Sequence, residues 1–169
     1  PDLGMGVTFV ASYDPQASGA ESQMGYGINY TGVEGLTLNW ATSDEETGTA
    51  NTSGDNTALK ASYAYGPVTV TYSSLEHDEG LAGGANDITM TSYAISYTVS
   101  DELSLTYGSE TSEKGSSGNQ DAEIDGITVA YTAGGMTITA KMIDGENLAY
   151  GTSANEDVEY WKLGASFAF

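Results

Sequence analysis

The sequence predicts an all-β fold: a transmembrane, antiparallel up-and-down β-barrel with about ten strands present in these 169 residues. Three observations predict it. Apolar residues alternate with small or polar ones at period 2 in ten segments, and no helix-period stretch of similar length occurs. The links between segments alternate long and short along the whole chain. The last segment alternates strictly, with Trp161, Leu163, Ala165, Phe167 and Phe169 on one side and Lys162, Gly164, Ser166 and Ala168 on the other.

The first segment sets Met5, Val7, Phe9, Ala11 and Tyr13 against Gly6, Thr8, Val10 and Ser12. Met24 to Tyr30, Leu36 to Trp40, Leu59 to Tyr65 and Val68 to Tyr72 follow in the same style. Further along come Tyr93 to Val99, Leu103 to Tyr107, Ile127 to Tyr131 and Met136 to Met142. Long links are expected at 42–57, 74–87, 109–125 and 144–157, with a medium one at 14–23; short ones are expected at 31–35, 66–67, 100–102 and 132–135. Sorted this way, every long link lies at one end of the sheet, as in outer-membrane barrels, whereas Greek-key sandwiches mix lengths at both ends.

Composition removes several classes of function. There are 24 acidic residues against four lysines and no arginine, for a formal charge of -20, so no footprint for nucleic acid can be built. No cysteine is present for disulfides or thiolate metal sites. No apolar run reaches the roughly 20 residues of a membrane helix, and no basic segment precedes an apolar one as in a signal peptide. Barrel strands escape such a search, since they need only about 9–11 residues with every second one apolar.

The acids are expected in the long connections: Asp44, Glu45, Glu46 and Asp55, then Glu76, Asp78, Glu79 and Asp87, then Glu110, Glu113, Asp121, Glu123 and Asp125, then Asp144, Glu146, Glu156 and Asp157. Negative charge then gathers at one mouth. Tyr13, Tyr30, Trp40, Tyr65, Tyr72, Tyr107, Tyr131 and Trp161 are expected at or near strand ends, where amphipathic rings meet headgroups. The inward faces carry Thr, Ser, Gly, Ala and Asn with three lysines and no acid at membrane depth. Such residues cannot fill a narrow barrel, so they suit the wall of a wide one.

The pattern carried by Lys162, Gly164, Phe167 and Phe169 resembles the C-terminal assembly signal of Gram-negative outer-membrane barrels. With the sorted links and the acidic end, the chain resembles a general diffusion porin of alphaproteobacterial type. That resemblance implies a bacterial outer-membrane location, a water-filled channel for passive diffusion of small hydrophilic solutes and ions, and a sixteen-stranded homotrimer. Residues 1–169 are then one barrel region, the C-terminal part of a larger barrel. It also implies lipid and lipopolysaccharide contacts, handling by the barrel assembly machinery, and neither catalysis nor a cofactor.

By parity the pore-lining candidates are Asn39, Lys60, Thr69, Thr71, Thr106, Thr128, Thr137, Thr139, Lys141 and Lys162. The acidic mouth is expected to give a weak cation preference. Asp121, Glu123, Asp125 and Gly126 look like the start of a calcium loop, but its twelfth position would be Thr132, not Glu. These three acids remain as candidates for divalent cations that bridge to lipopolysaccharide. His77, the only histidine, is expected in a loop without a catalytic partner set. Two alternatives stand beside the porin: a complete ten-stranded outer-membrane barrel, plugged or protease-like, and a secreted acidic β-protein or adhesin that binds divalent cations.

Overall fold

The computed structural model describes residues 2–17, 21–46, 53–81, 83–116, 118–151 and 157–168. They form eleven strands: β1 (Asp2–Gly4), β2 (Val7–Ala17), β3 (Glu21–Tyr30), β4 (Leu36–Glu46), β5 (Ser53–Tyr65), β6 (Val68–Asp78), β7 (Ile88–Thr98), β8 (Leu103–Lys114), β9 (Ala122–Ala133), β10 (Met136–Glu146) and β11 (Val158–Phe167). All belong to one antiparallel sheet whose spatial order is the chain order. β11 pairs with β10 and β1 with β2, and no closing ladder joins the two edges among the described residues.

Two expectations need correction. The strand beyond the expected ten is β1, whose three residues are too few to show alternation; Met5, expected to open the first long strand, stands in the turn after it at φ 51°. The strands also run further toward the long links than the alternation indicates. Asp44, Glu45 and Glu46 are residues of β4, and Asp55 of β5. Glu76, His77 and Asp78 belong to β6, and Glu110 and Glu113 to β8. Glu123, Asp125, Asp144 and Glu146 likewise lie in β9 and β10, whereas Glu79, Asp87, Asp121 and Asp157 stay in connections and Glu156 lies outside the described residues. The physical reason is that alternation reports which face meets apolar surroundings, while backbone pairing continues where both faces meet water.

The register shows that the sheet is staggered. Following one row across the ladder, Tyr30 leads through Leu38, Ala61, Tyr72, Tyr93, Ser109, Asp125 and Asp144 to Glu159. Tyr30 closes β3 at the short-turn end, whereas Glu159 stands eight residues from the corresponding end of β11 at Phe167. One residue of drift per strand, at the usual rise and spacing, corresponds to a tilt of about 35°. Strands of membrane barrels tilt by about 35–45°.

Among the described residues the sheet has no second layer. Ala122 is the one buried apolar residue among those described, and no large side chain is fully buried. A soluble sandwich buries the inner faces of two sheets against each other. Here the apolar face is left open, with Tyr65 and Trp161 each 76% exposed.

Two turn glycines differ in what they tolerate. Gly35 has φ +77°, and a Cβ there would lie 2.3 Å from the Ala64 carbonyl oxygen, whose residue donates its N–H to Gly35 O at 2.8 Å. Gly66 has φ +56° with open space around it. Gly35→Ala is expected to cost about 2–4 kcal/mol, combining left-handed strain with a backbone clash. Gly66→Asn is expected to cost under about 1 kcal/mol. Denaturant unfolding of both variants in the same lipid checks the contrast; equal losses would rule out the Gly35 contact as the cause.

Candidate functional site

Period 2 assigns alternate residues of each strand to opposite faces, and the register carries each face across the sheet. On the polar face one row runs Thr8–Asn29–Asn39–Lys60–Ser73–Ser92–Glu110. A second runs Thr37–Ser62–Thr71–Ala94–Gly108–Gly126–Ile143. A third runs Ala64–Thr69–Ser96–Thr106–Thr128–Lys141–Lys162. Thr139 pairs with Ala130 and Gly164, and Thr137 with Thr132 and Ser166. All ten polar candidates therefore share one face.

Short polar side chains on this face bond sideways to each other. Asn29 Nδ2 donates to Asn39 Oδ1 at 2.5 Å, and hydroxyl pairs link Ser62 to Thr71 at 3.1 Å and Ser96 to Thr106 at 2.9 Å. Thr132 and Thr137 do the same at 3.0 Å. Cross-strand hydroxyl pairs of this kind stabilise a ladder modestly and lie close against it. Lysines are what stand out from the wall: Lys60, Lys141 and Lys162 are exposed, and Lys141 is directly opposite Lys162.

The polar face differs from its sequence expectation in two respects. Past the alternating segments it carries an acid expected in a long link: Glu110 lies in β8 on the same row as Lys60 and accepts a hydrogen bond from Ser92 Oγ at 2.8 Å. It also carries an apolar row, Val10–Gly27–Ala41–Ala58–Leu75–Met90. Leu75, Met90 and Glu110 all fall just past the ends of the alternating segments, so parity had no anchor for them. His77, expected in a loop, is half-buried in β6 on this face, its Nδ1 2.8 Å from Asn56 Oδ1.

The opposite face is an apolar band flanked by aromatic rings. Tyr30, Tyr65, Tyr97 and Tyr131 lie at the short-turn end. On the other side of the band lie Tyr13, Tyr72, Tyr93, Tyr107 and Trp161; with the strands extended, Trp40, Tyr72, Tyr107 and Trp161 sit mid-strand instead of at strand ends. Tyr72 and Tyr93 approach to 5.2 Å between ring centroids. Beyond these rings the same face turns acidic, in rows Asp44–Asp55–Asp78, Asp125–Asp144–Glu159 and Glu123–Glu146. Tyr107 Oη donates to Asp125 Oδ1 at 2.8 Å, joining ring and acid levels.

The calcium-loop resemblance fails in structure. Glu123, Asp125 and Gly126 are extended residues of β9, with Asp121 just before it, and an EF-hand loop must wrap around its ion. Among the described residues no three His, Cys, Asp or Glu side chains converge as metal ligands. Of the C-terminal signal, Lys162 and Gly164 take the polar face of β11 and Phe167 the apolar one; Phe169 lies outside the described residues.

A tilted single-layer sheet, polar on one side and ringed with aromatics on the other, is wall-like in construction. A family model of Gram-negative porins matches residues 1–140. The chain belongs to the Gram-negative porin family. It is a β-barrel channel protein of the bacterial outer membrane, and its open sheet is consistent with part of a porin barrel. No curated protein matches this porin significantly. Its apolar face and aromatic ranks are those of a lipid-exposed wall.

Proposed function

We propose that this porin passes small hydrophilic solutes and ions by passive diffusion along its polar face, with a weak preference for cations and no chemistry. The observation that carries the reading is the polar face itself: ten candidate residues share it by register, seven of them short and three of them lysines, opposite a face that has no packing partner among the described residues. The acidic rows at the long-link end supply the cation preference by concentrating counter-ions at the mouth. Reconstitution into a planar bilayer tests it. Stepwise current increments with a reversal potential on the cation side are expected in a salt gradient; absent steps remove the channel, and an anion-side potential removes the preference.

The eleven strands belong to a wider barrel, in our reading the C-terminal part of a sixteen-stranded homotrimer of alphaproteobacterial type. Open sheet edges are not tolerated in lipid, and among the described residues β1 pairs only with β2 and β11 only with β10, which calls for further strands. An intact native mass well above 17.5 kDa is expected, and a native mass of 17.5 kDa would exclude it. The acidic outer rows suit divalent cations bridging to lipopolysaccharide, and Lys162, Gly164 and Phe167 with Phe169 suit recognition by the assembly machinery. Chelation that leaves stability in lipopolysaccharide unchanged, and assembly that survives loss of Phe169, would respectively exclude these two contacts. The unlayered sheet counts against an adhesin or other soluble β-protein, and the small wall residues against a plugged or protease-like ten-stranded barrel.

A further inference from the structure

The polar face is not uniformly small. A groove of about 340 Å³ lies on it, with Glu110, Gly108, Gly126 and Lys141 in its lining and Ile124 and Ile143 as its apolar flanks. Its floor is the directly paired Gly108 and Gly126, so two adjacent strands present bare backbone between side chains that project above and below. Glu110 stands at one end, two residues beyond Gly108, with Ser92 bonded to its Oε2. Lys141 stands at the other, backed by Lys162 directly across the ladder. Among the described residues neither lysine has a carboxylate within ion-pair distance.

We infer that this groove is a subsite for zwitterionic solutes, amino acids and short peptides, whose ammonium meets Glu110 and whose carboxylate meets Lys141. The inference rests on the polar face being the channel wall. Glu110 and Lys141 are two strands and four residues apart, about 17 Å between Cα atoms at standard spacings, a gap that both side chains shorten. An extended peptide covers about 3.3–3.6 Å per residue, so a dipeptide or tripeptide matches the interval between the charges. An inorganic ion satisfies one end only. A neutral sugar uses neither, and a zwitterion of the right length uses both.

The test is current block by triglycine in bilayers containing the porin. Glu110→Gln and Lys141→Gln are each expected to weaken the block about two- to fivefold, the scale of one exposed charge contact. In a Lys162→Gln background, which leaves no lysine opposite position 141, the exchange of Glu110→Lys with Lys141→Glu leaves net charge unchanged and is expected to retain the block, since the zwitterion binds reversed. Gly108→Val is a steric probe: Gly108 has no positive φ, and a Cβ there meets nothing nearer than Tyr93 O at 3.6 Å. It is expected to fill the groove and weaken the block while the channel still folds and conducts. An unchanged Glu110→Gln, or an exchanged pair that loses as much as the single variants, overturns the subsite. A conducting porin that triglycine does not block overturns the subsite alone, whereas a protein that conducts nothing overturns the channel reading and the subsite with it.

Discussion

Val129→Arg is expected to destabilise the membrane-inserted protein by about 2–4 kcal/mol, the cost of an arginine near the bilayer midplane on a lipid-facing strand. Thr128→Arg, one residue away, is expected to change stability by less than about 1 kcal/mol. Val129 is paired with Leu105 and Ala140 on the apolar face, between Tyr131 and Ile127 along β9, and among the described residues no second layer covers it. Thr128 is paired with Thr106 and Lys141 on the polar face, where added charge meets water. The nearby Lys141 adds a small repulsion, and the extra charge shifts ion selectivity toward anions. Net stabilities of folded proteins are about 5–15 kcal/mol, so the Val129 variant loses a large share and the Thr128 variant does not. Denaturant unfolding in lipid vesicles measures both. Equal losses would mean that the two faces meet the same surroundings and would contradict a lipid-exposed wall.

The parts of this fold that were legible in the sequence are those where the two faces of a strand differ chemically. Ile127, Val129 and Tyr131 against Thr128 and Ala130 define β9 at membrane depth because lipid and water select opposite residues there. Beyond the band both faces are wet, and Asp44 or Asp125 looks like loop although its backbone remains paired. The same loss of contrast hid Glu110, Leu75 and Met90 on the polar face. β1 was illegible for a different reason, since three residues cannot display a period. The grouping of polar candidates survived because parity, once anchored at mid-strand, is carried across the sheet by register. What parity does not encode is which polar residues face one another: the opposition of Lys141 and Lys162, and the glycine floor between Glu110 and Lys141, arise only once strands are aligned.

Asp55→Asn is expected to stabilise the protein by about 1–1.5 kcal/mol at low ionic strength in the absence of divalent cations. Asp55 is the middle member of a row of three exposed aspartates, opposite Asp44 on one side and Asp78 on the other. Like charges directly opposed on neighbouring strands destabilise a ladder, and at about 6 Å in water each pair contributes roughly 0.7 kcal/mol of repulsion. Neutralising the middle member removes both nearest repulsions. The gain should vanish near 1 M salt, where the screening length is about 3 Å. Part of the cation preference should go with it, because the row helps to concentrate cations at the mouth. The sign of the change is itself informative. With a divalent cation in excess, a row that holds the ion needs its central carboxylate, and Asp55→Asn then destabilises the protein. Thermal unfolding in detergent at low salt, high salt and with added calcium separates the cases: stabilisation that salt abolishes and calcium leaves in place marks a bare electrostatic row, reversal by calcium marks an ion bridge, and a variant unchanged at low salt shows that the three carboxylates do not interact.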